Sequence, residues 1–154
     1  MQRRSFLRGV GIAAAASAVV TPNVVMAAAP KGPNNLGFDA AVKAITGGKK
    51  AVASSKVKLK APEIAENGAV VPITVTVDSP MTDSDYIKAI HVLASKNGNV
   101  RCADVMLTPA SGAAMFAARI KLGTSQDVVA IVETSKGEFL TASQNVKVTI
   151  GGCG

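Results

Sequence analysis

The chain has 154 residues, with 17 Lys and Arg against 10 Asp and Glu, one histidine, two cysteines, no tryptophan and only 3% aromatics. The formal charge of +7 includes Arg3, Arg4 and Arg8, so a leader that carries those three and no acidic residue would leave 7 − 3 = +4. So modest a charge, with no aromatic platform for stacking bases, excludes nucleic-acid binding as a primary role.

The N-terminus reads as an export signal. Arg3-Arg4-Ser5-Phe6-Leu7-Arg8 is a twin-arginine pattern, and the apolar run from Gly9 to Val20 is short and alanine-rich for a membrane span. Val25-Met26-Ala27 offers a cleavage site, so residues 1–27 are expected to be a twin-arginine signal peptide and the working protein to be periplasmic, without a membrane anchor. Such a leader addresses cargo folded before export, which points to a cofactor or a partner travelling with it. No cofactor motif is found, so a partner is favoured. The remaining residues suffice for one domain with a real core, not for two.

After the Pro30-Lys31-Gly32-Pro33 segment, Asn34 or Asn35 can cap a helix in which Phe38, Val42 and Ile45 share one face, with Gly47 and Gly48 as the stop. The apolar period then changes from 3.6 to 2. Strands are predicted over Lys56 to Ala61, Val70 to Asp78, Tyr86 to Ala94, Val100 to Leu107, Ala113 to Lys121, Val128 to Ser135, Glu138 to Ala142 and Gln144 to Ile150. Turn residues such as Asn67-Gly68, Asn97-Gly98, Gly123-Thr124 and Lys136-Gly137 separate them. Lysines 56, 58 and 60 alternate with Val57 and Leu59, the mark of a wet strand face. This pattern predicts an all-β chain: an immunoglobulin-like antiparallel β-sandwich over residues 28–150 with a short N-terminal helix, an up-and-down barrel being the alternative.

Catalytic constellations are missing. His91 is the single histidine and sits inside a predicted strand, where a packed or rim position is expected and companion metal ligands are lacking. There is no G-x-S-x-G elbow, no phosphate-cradling glycine loop and no paired-cysteine metal motif. Asp83 and Asp85, following Ser79-Pro80, read as loop solvation. The chain is therefore expected not to be an enzyme, and to hold no metal or cofactor.

The chemistry that remains lies in the last four residues, Gly151-Gly152-Cys153-Gly154. An exposed thiol is a liability outside the cytoplasm, since it invites disulfide exchange and over-oxidation. Glycines free the backbone and thin the tail, and four extended residues reach about 13 Å. Residues 151–154 thus read as a swinging arm, with Gly151, Gly152 and Gly154 giving flexibility and Cys153 carrying a substrate. No cation lies within two residues of Cys153 and the terminal carboxylate opposes ionisation, so its pKa is expected near or above the ~8.5 of a free thiol. Activation must then come from whatever the arm enters. Cys102, in a valine-rich strand, reads as a small buried hydrophobe. The alternative is a non-catalytic periplasmic binding module stapled by a Cys102–Cys153 disulfide.

The tail, the twin-arginine leader, the segment Ala61-Pro62-Glu63-Ile64-Ala65-Glu66-Asn67-Gly68 and the run Val77-Asp78-Ser79-Pro80-Met81 together resemble the SoxY family, sulfur carriers of the periplasmic thiosulfate-oxidising Sox system. The resemblance implies a heterodimer with a SoxZ-like subunit exported alongside. It implies that SoxAX joins the Cys153 thiol oxidatively to thiosulfate as a cysteine S-thiosulfonate, that SoxB releases sulfate, and that the remaining sulfane sulfur is oxidised by a sulfane dehydrogenase or passed elsewhere. Cys102 departs from that pattern, because the members compared rely on the terminal cysteine alone.

Overall fold

The computed structural model describes residues 32–152; the expected signal peptide and Cys153 with Gly154 lie outside the described residues. Pro33–Asn35 forms a 3-10 turn, closed by the Asn35 N–H donating to the Gly32 carbonyl at 2.9 Å. The helix α1 follows over Phe38–Thr46. Its N-cap is Gly37 without a side-chain cap, so Asn34 and Asn35 are not the caps predicted from sequence; Pro33 commits them to the preceding turn. Asp39 in the first turn meets the positive end of the helix dipole instead. The predicted stop holds: Gly47 and Gly48 have φ of 62° and 84°, left-handed backbone that favours glycine.

Among the described residues, nine strands form two sheets. The larger has the order β1-β9-β8-β5-β6, built from β1 (Ala51–Ala53), β9 (Phe139–Ile150), β8 (Gln126–Thr134), β5 (Ile87–Ala94) and β6 (Arg101–Met106), with β3 (Ile64–Asn67) also on β9. The smaller has the order β2-β4-β7, built from β2 (Val57–Lys60), β4 (Val71–Val77) and β7 (Met115–Ile120). The two stay separate, so the architecture is the immunoglobulin-like β-sandwich and not the barrel. Among the described residues no helix is long and apolar enough to cross a membrane.

The period-2 pattern decides which face each strand buries. In β4, Val71, Ile73, Val75 and Val77 point inward while Pro72, Thr74 and Thr76 point out. Opposite them, Ile90, Val92, Val128, Ala130, Val132 and Val146 of the larger sheet complete the main core. A second cluster lies on the outer face of that sheet, where α1 covers Leu93, Ile131 and Phe139 with Ala41 and its flanking Phe38, Val42 and Ile45. β5 is therefore buried on both faces, which explains its nearly continuous apolar sequence.

Three features depart from the sequence reading. The predicted pair Glu138 to Ala142 and Gln144 to Ile150 is one strand of 12 residues, since Ser143 pairs directly with Val129 and the ladder runs on unbroken. β1 and β3 went unpredicted, and both pair parallel to β9 on the edge that β8 leaves open. β3 is delivered there by Gln144, whose side chain accepts from Ala61 N–H at 3.2 Å and donates to Ala61 O at 2.6 Å, and by the Lys147 N–H bonded to Glu63 O.

Ile90 is fully buried between the sheets. Ile90→Ala is expected to cost about 2–5 kcal/mol through lost transfer energy and the cavity left behind, read as a lower urea midpoint at unchanged m-value.

Candidate functional site

The site grows out of the end of β9. The Gly68 N–H donates to Ile150 O at 2.7 Å, the Leu122 N–H donates to Gly68 O at 2.7 Å, and the Gly152 N–H donates to Leu122 O at 3.0 Å. These three bonds weave the tail between the Asn67-Gly68-Ala69 turn and the β7–β8 loop. The fit leaves no room for side chains. A Cβ on Gly68 would stand 2.8 Å from both Gly152 N and Val148 Cγ1 and would collide with the Leu122 carbonyl oxygen. A Cβ on Gly152 would stand 2.6 Å from Ala69 N and Cα, and one on Gly151 would run into the Gly123 carbonyl oxygen. The sequence reading placed glycine at 151 and 152 for freedom; in the structure close backbone approach requires it.

The loop that receives the tail is itself held. Asn97 Nδ2 donates to Lys121 O at 2.7 Å, while Asn97 Oδ1 accepts from Gly123 N–H at 3.1 Å and from Gln126 Nε2 at 2.8 Å. Gln126, only 1% exposed, also donates to Thr124 O and accepts from Lys96 N–H at 2.7 Å. Ser125 Oγ takes the Val148 N–H at 2.8 Å, tying the loop to β9. On the other side Asn67 Oδ1 accepts from Ala69 N–H at 2.9 Å, fixing the turn. Exposed apolar side chains flank the exit: Ile150 is 68% exposed and Val70 52%. Sequence reasoning marked Asn67-Gly68, Asn97 and Gly123 only as turn residues; no local pattern shows that three turns distant in sequence meet.

The remaining candidates are structural. His91 is buried, as expected, and its Nδ1 lies 2.5 Å from Asp104 Oδ1. Arg101 grips the same carboxylate with Nη2 at 2.7 Å and Nε at 3.1 Å. Residues three apart on a strand normally face opposite ways; a register shift opposite Val92 and Leu93 turns Arg101 and Asp104 to one face. Partial burial pushes the Asp104 carboxyl upward, but the Arg101 and His91 hydrogen bonds and charges outweigh it and hold the group below its ordinary range. Cys102 is a free, half-buried thiol packed against the main core, and burial pushes it up to about 11. Asp85 pairs at the surface with Lys136 at 3.1 Å. Among the described residues no group of three His, Cys, Asp or Glu could hold a metal ion.

The described residues thus form a β-sandwich whose Gly151-Gly152 segment is seated in backbone, with His91 hydrogen-bonded to Asp104. The family described as "Sulfur oxidation protein SoxY" matches residues 42–153, and the chain belongs to that family. The solved sulfur carrier protein SoxY from Chlorobium limicola f thiosulfatophilum is 29% identical, with a TM-score of 0.60 over 70% of this chain and 88% of that one. A superoxide reductase (neelaredoxin) from Ignicoccus hospitalis, 21% identical with a TM-score of 0.55 over 60% of this chain and 80% of its own, shares the fold alone. No curated protein matches the chain.

Two predictions follow from the buried groups. Because the folded-state pKa of Asp104 is depressed, its stabilisation is present above the unfolded value of about 3.9 and is lost as pH falls through the folded value. Asp104→Asn should therefore cost about 1–3 kcal/mol at pH 7 and flatten the acid limb of stability against pH, as measured by urea titrations between pH 2 and 6. With its thiol raised to about 11, Cys102 should resist iodoacetamide at pH 8 in the folded Cys153→Ser chain and react at the rate of an ordinary cysteine in urea.

Proposed function

We propose that this chain is a sulfur carrier that holds intermediates of thiosulfate oxidation covalently on Cys153 and presents them to separate enzymes. The observation that carries the reading is the family match running to Cys153, the residue that the Gly151-Gly152 tail delivers at the end of β9. In the first step the Cys153 S–H bond is exchanged for an S–S bond to thiosulfate. The thiol loses its proton, and two electrons pass to a haem enzyme of the SoxAX kind, leaving a cysteine S-thiosulfonate. Water then cleaves the terminal S–S bond with SoxB: the sulfone leaves as sulfate, two protons are released, and a persulfide anion stays on the carrier. The remaining sulfane sulfur is oxidised by a sulfane dehydrogenase, which takes up its electrons while water supplies the oxygen atoms and protons are released, or it is passed elsewhere.

The chain contributes the handle and its placement, while catalysis belongs to the partners. Three features support this division: Cys153 has no cation within two residues, His91 is committed to Asp104, and Cys102 is held protonated by burial. The twin-arginine pattern and cleavage site support export to the periplasm as folded cargo, together with a SoxZ-like subunit. The exposed Ile150 and Val70 give enclosing enzymes an apolar rim to seal against.

Intact-mass spectrometry tests the reading on protein purified from cells grown on thiosulfate. Reductant-sensitive additions of sulfur, sulfite or thiosulfate are expected, and they should vanish in Cys153→Ser. An unmodified mass in every sample, or a loss of two hydrogens that needs both Cys102 and Cys153, overturns it in favour of a stapled binding module.

A further inference from the structure

We propose that Gly68 and the Asn97–Gln126 pair are positioning residues for the carrier thiol: they build a slot of backbone that grips Gly151 and Gly152 and so sets where Cys153 leaves the domain. This deepens the carrier reading and rests on it, but the slot itself is defined by the folded chain alone. Two walls form it. One is the Gly68-Ala69 turn, whose missing Cβ at Gly68 is what lets Gly152 N, Val148 and the Leu122 carbonyl converge there. The other is the Leu122-Gly123 backbone, which accepts the Gly152 N–H and passes closest to Gly151.

Without support the second wall would be an ordinary surface loop. Asn97 supplies that support by bonding Lys121 O and Gly123 N–H, on either side of Leu122, while Gln126 fixes the Asn97 oxygen from within the fold. Neither side chain touches the tail, so both act through the Leu122 carbonyl. While the Gly152 N–H bond holds, Gly151 and Gly152 stay between the two walls. Breaking that single bond frees both from the Leu122 carbonyl. The slot thus separates a parked tail from an extended one by one hydrogen bond, a difference small enough for a docking enzyme to reverse.

Amide hydrogen exchange read by NMR on the reduced chain in a Cys102→Ala background tests this without any sulfur adduct. The Gly152 amide should be protected relative to an unstructured glycine. Asn97→Ala and Gly68→Ala should each speed its exchange roughly two- to tenfold, the range for one net hydrogen bond, and should speed reaction of Cys153 with an aromatic disulfide probe. Core amides of Val92 and Ile131 should be unmoved in Asn97→Ala, which leaves the core intact if Gly68→Ala fails to fold. Asn97→Asp keeps the acceptor for Gly123 N–H and Gln126 and should recover part of the protection. An unprotected Gly152 amide in the parent chain, or exchange unchanged by Asn97→Ala, overturns the proposal. A protected, Asn97-dependent amide in a chain whose Cys153 never takes up sulfur would keep the slot and discard the carrier role.

Discussion

Strand β9 is the element on which the rest depends, because a 12-residue strand must satisfy backbone groups along both of its edges. Antiparallel β8 pairs with one edge from Phe139 to Val146. The other edge is covered by two short parallel segments, β1 at its start and β3 at its end. Parallel pairing of such short pieces is weak by itself; β3 is further held by the Gln144 side chain on Ala61 and by a backbone bond from the Lys147 N–H to Glu63 O. The last residues of β9 consequently have neighbours on both sides, β3 on one and Ser125 on the other.

What was legible in the sequence follows from how local each signal is. β4, β5 and β7 were readable because alternating or continuous apolar runs encode burial directly, and Lys136-Gly137 because a hairpin turn needs the left-handed backbone that Gly137 adopts at φ 77°. β1 and β3 were not readable: Ala51-Val52-Ala53 is too short to show a period, and Ile64 is exposed, so pairing with β9 rather than burial makes these strands. The helix N-cap failed for a related reason, since two asparagines compete poorly with a proline that starts its own turn.

The tail shows the same limit at the site. Its composition pointed to Cys153 and to glycine, but not to why glycine is needed. Freedom and close approach leave the same letters in a sequence; only the convergence of Gly68, Leu122 and Gly152, which lie far apart along the chain, separates them. Two of the four glycine-tail residues therefore belong to the folded domain as much as to the arm.

The fold withdraws the thiol of Cys102 from chemistry. Cys102 sits against the main core beside the β6 irregularity, where desolvation suppresses the thiolate on which nucleophilic and redox chemistry depend. In a sulfur carrier, a second reactive thiol would compete in thiol–disulfide exchange. Burying Cys102 removes that competitor without removing the residue. Keeping His91 on Asp104 has a parallel effect, since the ring nitrogen facing Asp104 is already engaged and is withheld from service as a general base. Among the described residues, the free thiol and the imidazole are thus both tied into the sandwich.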